Sequence, residues 1–101
     1  MTNYEISLSK EADQDFVSYV NFIKYECKSP LTALRHYEGL YKTLQQLRIS
    51  PEAHQIQTRS YFMKFGISVR KVSYKKMAII YTAHENIVYV HRIIASAMIT
   101  E

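Results

Sequence analysis

Apolar and polar positions fall into two regimes along this chain. Up to residue 49 the apolar residues recur at helical spacing. From residue 69 to residue 94 they form almost continuous runs of strand length. A short alternation comes first: Tyr4, Ile6 and Leu8 face one way and Glu5 and Ser7 the other, the pattern of a half-buried outer strand. Ser9 then stands at a helix N-cap, with Glu11, Asp13 and Asp15 in the early turns, where acids oppose the positive end of the helix dipole. Ala12, Phe16, Val20, Ile23 and Cys27 are spaced 4, 4, 3 and 4, and Tyr19 and Phe22 widen that stripe. The spacing predicts a helix over about residues 10–27. Ser29-Pro30 restarts the chain, because proline at the first helical position gives up an N–H that would have no partner there. Ala33, Tyr37, Leu40, Leu44 and Leu47 carry a second helix to about Ile49, and the short link at Lys28-Ser29 makes the two an antiparallel hairpin.

Residues 50–60 lack a period and read as a loop that can hold a helical turn. Residues 61–65, before Gly66, read as a short strand or the approach to one. Residues 69–74 read as a basic strand, 77–83 as a strand apolar on both faces, and 87–94 as a third, after the polar break His84-Glu85-Asn86. Simple alternation puts Val88, Val90, Arg92 and Ile94 on one face and Ile87, Tyr89, His91 and Ile93 on the other. The resulting order is β-α-α-β-β-β. The expected fold is α+β: an N-terminal strand and an antiparallel α-hairpin packed on one face of a small, largely antiparallel C-terminal sheet.

Composition narrows this to one domain over residues 1–101, with an apolar fraction of 48% and a charged fraction of 22%. The single cysteine, Cys27, excludes an internal disulfide and reads as a packing residue on its helix stripe. No apolar signal core opens the sequence and no apolar run approaches the ~20 residues of a membrane span, so a cytoplasmic protein without a membrane partner is expected. The net charge of +4 is unevenly placed. Residues 53–84 carry Arg59, Lys64, Arg70, Lys71, Lys75 and Lys76 and no acid. Such a tract is either a cationic surface for a polyanion or an acidic protein, or a solvated face that keeps the chain soluble. His36, His54, His84 and His91 show no metal-ligand spacing, so neither a metal nor a cofactor is expected. Of the nine tyrosines, Tyr61, Tyr74 and Tyr89 fall outside the core stripes and are the candidates for base stacking.

Three stretches resemble the RelE/ParE superfamily of toxins from type II toxin–antitoxin pairs. Leu8-Ser9-Lys10-Glu11-Ala12-Asp13-Gln14-Asp15-Phe16 is similar to that family's entry from strand to helix. Ser29-Pro30 through Leu47 to Pro51 is similar to its second helix. Val69-Arg70-Lys71-Val72, then Ile79-Ile80-Tyr81, then Val88-Tyr89-Val90-His91-Arg92-Ile93-Ile94, resemble its basic strand and two apolar strands. The resemblance implies a cognate antitoxin partner, in a toxin–antitoxin hetero-oligomer, and one of two targets. One branch cleaves mRNA on the ribosome; the other binds DNA gyrase and poisons it.

Metal-independent RNA cleavage would call on cations for the phosphate and on His or Tyr for proton transfer. The candidates are Lys71, Tyr74, His91 and Arg92, with Lys75, Lys76 and Tyr81 close by. The resemblance also shows departures. Met77-Ala78 stand where the nuclease branch has an arginine, and Ala95-Ser96-Ala97-Met98-Ile99-Thr100-Glu101 lacks its basic residues and tyrosine. Lys75 or Lys76 could stand in from the turn. Arg92 reads as paired with an acid such as Asp15, or as snorkelling at the sheet end. His91 reads as a hydrogen-bonded or surface residue more readily than as a catalytic one. The expectation is therefore a ParE-like, growth-inhibiting toxin that binds its target, DNA gyrase being favoured, through Arg70, Lys71, Lys75, Lys76 and Arg92. The alternatives are a ribosome-dependent mRNA endonuclease and a small basic nucleic-acid-binding module.

Overall fold

The computed structural model of the chain describes residues 3–99, leaving out the side chain of Cys27. The expectation for Cys27 and the final residues Thr100 and Glu101 thus lie outside the described residues. The elements are β1 (Glu5–Leu8), α1 (Lys10–Cys27), α2 (Pro30–Leu47), β2 (Arg70–Tyr74), β3 (Met77–His84) and β4 (Ile87–Ala95). Short 3-10 turns occupy Pro51–Ala53, Ser60–Phe65 and Ser96–Met98. Both helices start as their sequences require. The Ser9 hydroxyl accepts the Ala12 N–H at 2.9 Å and donates to the His91 carbonyl at 2.8 Å, which ties the start of α1 to β4. The Ser29 hydroxyl accepts the Thr32 N–H at 3.3 Å with Pro30 in the first turn. Lys28, left-handed at φ 50°, reverses the chain between the helices.

The sheet order is β1-β4-β3-β2. The β2–β3 and β3–β4 pairs are antiparallel hairpins, and β1 lies parallel to β4 from Glu5↔Ile87 to Leu8↔Val90. The sheet is largely antiparallel, as expected, with one parallel pair at the edge. The helical hairpin covers one face: Ala12, Leu40, Leu44 and Leu47 pack on Val72, Ile79, Tyr81, Val88, Val90 and Ile93.

The other face is covered too, and here the structure corrects the reading of residues 61–65 as a strand. That segment is a 3-10 turn. Its three-residue period puts Phe62 and Phe65 on one side. Phe62 is buried with Val69 and Ile99 against Ala78, Ile80 and Ile94, while Phe65 packs at the border. Burying a phenylalanine here contributes roughly 2–3 kcal/mol, which is why apolar packing overrides the strand propensity of the segment.

A second correction lies in β4. The ladder pairs Ile80 with Arg92 and Tyr81 with Val90, so His91 is an extra residue, a β-bulge. Past it the alternation shifts by one. Ile93, not Arg92, continues the Val88–Val90 face toward the helices, while Arg92 and Ile94 lie across from Ile80 and Ala78 on the opposite face. His91 and Arg92 consequently emerge on the same side of the sheet and not on opposite sides. Nothing in the local sequence marks this bulge: no glycine accompanies it.

Candidate functional site

The residues expected at a site divide into three groups. The first group holds the fold together. Arg70 extends from β2 toward the 3-10 turn at Pro51–Ala53, where its Nη1 donates to the Glu52 carbonyl at 3.3 Å and the His54 carbonyl at 2.5 Å. Tyr81, fully buried beside it, donates to the Pro51 carbonyl at 2.5 Å, with the His54 ring edge-on at 6.4 Å. Burial pushes the Tyr81 phenol up to about 12, against a smaller lowering by the Arg70 charge. Tyr74 lies on the helix side, its ring over Gly39 in α2 and 6.5 Å from the His36 ring, so it is packed and not displayed for stacking.

The second group surrounds a groove. β1 flanks β4 only as far as Val90, so among the described residues the outer edge of β4 beyond it has no strand beside it. α1 takes up that edge through Asp15. Its Oδ2 accepts the Ile93 N–H at 3.0 Å, and its two oxygens accept Arg92 Nε at 2.7 Å and Nη2 at 3.0 Å. Arg92 therefore reaches round the sheet edge to make the pairing expected for it. Its side chain stays 36% exposed and that of Asp15 16%. The hydrogen bonds it donates to Asp15 raise the guanidinium above its already high range, so it stays charged. Between α1, the end of β4 and the β2–β3 turn lies an open groove of about 640 Å³. Its walls are Tyr19, Phe22, Ile23, Ile93 and Met98; Lys75, Lys76 and Arg92 stand at its rim. Tyr19 and His36 are joined across the two helices by a 2.9 Å hydrogen bond at its back.

The sequence singles out the three cations and not the apolar walls. Phe22 was assigned to the core stripe of α1 and is 58% exposed in the groove. The available signal was the breadth of that stripe, which is wider than one packed face needs.

The third group lies on the opposite face. Lys71, Ile80 and Arg92 form one row across β2, β3 and β4. His91 joins them through the bulge, with its Nε2 2.9 Å from the Thr82 hydroxyl and its ring 5.6 Å from that of Phe65. Burial holds the His91 imidazole below its usual pKa, favouring the neutral ring. Tyr61 is nearby with Lys64 Nζ 4.1 Å from its ring centroid. Arg70 and Lys71 do face opposite ways, as expected. Among the described residues no three His, Cys, Asp or Glu side chains come together in a way that could hold a metal ion. No described helix is long and apolar enough to cross a membrane.

This architecture is that of a solved bacterial structure. The chain superimposes on a chain of the chromosomal ParDE TA system from P. aeruginosa with a TM-score of 0.72, covering 91% of this chain and 95% of that one at 10% identity. The strand, helical hairpin and sheet expected from the apolar spacing of the chain thus match the fold found by comparison of structures. No protein-family model and no curated protein matches the sequence.

Proposed function

We propose that this chain is the toxin of a type II toxin–antitoxin pair, ParE-like, that inhibits growth by binding a cellular target, with DNA gyrase favoured. The observation that carries the reading is the groove beside the open end of β4, apolar in its walls and rimmed by Lys75, Lys76 and Arg92, on a fold shared with a chain of a ParDE system. A groove of that kind fits a segment with apolar anchors at helical spacing and interleaved acids, the chemistry of a cognate antitoxin. The gyrase preference is supported by what the candidate nuclease groups are engaged in. Tyr74 is packed over Gly39, Tyr81 is buried on the Pro51 carbonyl, and Arg92 is held by Asp15.

Expression without antitoxin is expected to arrest growth, to leave cell-free translation intact and to block gyrase supercoiling. Growth arrest with normal supercoiling would rule out gyrase as the target. A second reading, ribosome-dependent mRNA cleavage, is favoured by one observation: the bulge brings His91 and Arg92 to the same face as Lys71. Cleavage of mRNA within codons in the translation assay would select it. Unimpaired growth would leave the small basic nucleic-acid-binding module.

A further inference from the structure

The sheet has two outer edges, and they differ. The edge of β2 is guarded. Gln57 donates its N–H to the Val69 carbonyl at 2.8 Å and Ile56 bridges Arg70, so a loop covers its first end. The rest carries Lys71 and runs into the Lys75-Lys76 turn, and lysines on an edge discourage further strand pairing. The edge of β1 has neither device. Glu5 and Ser9 give their N–H groups to the Asn86 and Val90 carbonyls of the β4 side, so odd positions of β1 bond inward and even positions point outward. Tyr4 is taken up by the end of α2: its N–H reaches the Arg48 carbonyl at 2.7 Å, and its carbonyl accepts Arg48 Nε at 3.2 Å. Ile6 and Leu8 have no backbone partner on that edge among the described residues. On the helix side the same edge borders a second groove of about 400 Å³, walled by Ile6, Leu8, Phe16, Tyr37, Tyr41 and Leu44. Leu8, Tyr37 and Tyr41 are exposed there, the two tyrosine rings stacked within 8° of parallel at 6.3 Å.

The open groups are self-complementary. They are the N–H and C=O of Ile6 and of Leu8, placed evenly about Ser7. A two-fold axis through Ser7 sets Ile6 of one copy opposite Leu8 of the other, twice, and each such pair exchanges two N–H···O=C bonds. All four groups of each copy are then bonded and none is left over. On the helix side Ile6 and Leu8 of both copies meet, and the apolar grooves beside them run together across the axis. On the other side the two Ser7 side chains, short and uncharged, lie next to each other. Glu5 of one copy falls beside Ser9 and Lys10 of the other, so opposite charges and not like ones come together along the strand. An unrelated strand would match the backbone alone; the central serine and the crossed Glu5 and Lys10 match this chain to itself. We propose that β1 pairs antiparallel with β1 of a second copy about Ser7, joining two four-stranded sheets into one two-fold dimer. The pairing does not depend on the toxin reading, because it uses neither the groove at β4 nor its cations.

The test uses the full chain, alone in solution. Sedimentation over a concentration series is expected to show the 11.9 kDa chain giving way to a species of twice that mass. Leu8→Lys, which puts a charge on the open edge, is expected to weaken the dimer by about tenfold or more, and Lys71→Glu, at the opposite edge, to leave it unchanged. Ser7→Cys and Glu5→Cys read the register. Across the pairing the two Cα atoms at position 7 lie about 4.5 Å apart, within disulfide reach, and those at position 5 roughly 14 Å apart. Mild oxidation is expected to cross-link Ser7→Cys about tenfold faster than Glu5→Cys or the wild-type chain, whose single thiol is Cys27. A wild-type chain that stays monomeric at its highest soluble concentration overturns the inference. So does a dimer that Leu8→Lys leaves intact or Lys71→Glu breaks, or a Ser7→Cys cross-link no faster than that of Glu5→Cys. Thermal unfolding checks the variants; if Leu8→Lys does not fold, the two cysteine variants decide, since both positions face solvent.

Discussion

Gly39 sits in the middle of α2, where glycine is costly, and Tyr74 explains its presence. A Cβ built at residue 39 would lie 2.1 Å from the Tyr74 hydroxyl oxygen and 2.5 Å from the ring carbon that bears it. Those atoms must withdraw by about 1 Å to reach ordinary contact, which begins near 3.4 Å. Gly39→Ala gains about 1 kcal/mol of helix propensity. Against this, displacing the ring costs about 2–3 kcal/mol, from overpacking and from the lost edge contact with His36. The expected net effect is a loss of about 1–2 kcal/mol, or roughly 5–10 °C in Tm for a domain of this size. In a Tyr74→Ala background the obstruction is gone, so Gly39→Ala is expected to stabilise by about 0.5–1 kcal/mol. Urea unfolding of the four chains of this double-mutant cycle, followed by far-UV circular dichroism, measures both values. The reasoning is refuted if Gly39→Ala stabilises the wild-type chain, or if its sign does not change between the two backgrounds.

Three further outcomes follow from the site. Tyr81→Phe leaves the buried Pro51 carbonyl without its donor and is expected to cost about 1–3 kcal/mol; in the parent chain one tyrosine should titrate near pH 12 in ultraviolet absorbance. Because that folded pKa is raised, the stability it contributes is intact below about pH 10, the unfolded tyrosine value, and is lost as pH rises toward 12. His91 has the opposite sense: its folded pKa is depressed, so its contribution is present above about pH 6.5 and falls as pH drops through the folded value; NMR titration should place it below a free histidine, and His91→Gln should flatten the mildly acidic limb of the stability profile. Replacing Lys75 and Lys76 by alanine should weaken the antitoxin complex by about tenfold at low salt and by less as salt rises, with little change in Tm; equal affinity at all salt concentrations would make the pair a solvated turn.

Much of the architecture was legible because it rests on local signals. Ser9 and Ser29-Pro30 marked the helix starts, and the stripes through Ala12 and Leu40 marked the buried faces. The Arg92–Asp15 pair was legible as one of two readings, since an arginine among apolar residues needs either an acid such as Asp15 or solvent at the sheet end. The rest depends on contacts between distant segments. The bulge at His91 reversed the facing of Arg92 with no residue to announce it. The segment Ser60–Phe65 became a 3-10 turn because the second face of the sheet needed Phe62. The groove was hidden for the same reason: whether Phe22 is core or wall is decided by where β1 stops, and that is a property of its register with β4.

The parallel pairing of β1 with β4 also governs when the molecule can exist. Ile6 lies beside Val88, so the first strand made has no neighbour until the last strand has been made. Contacts of such long sequence separation form late and slowly. A nascent chain that stops short of β4 would present the apolar side of α2 to water, lack the Ile93 wall and the Arg92 rim of the groove, and be a substrate for proteases and chaperones. For a protein proposed to arrest growth, this couples the groove to the end of synthesis: a chain that lacks β4 is expected to lack the groove and, with it, the proposed activity.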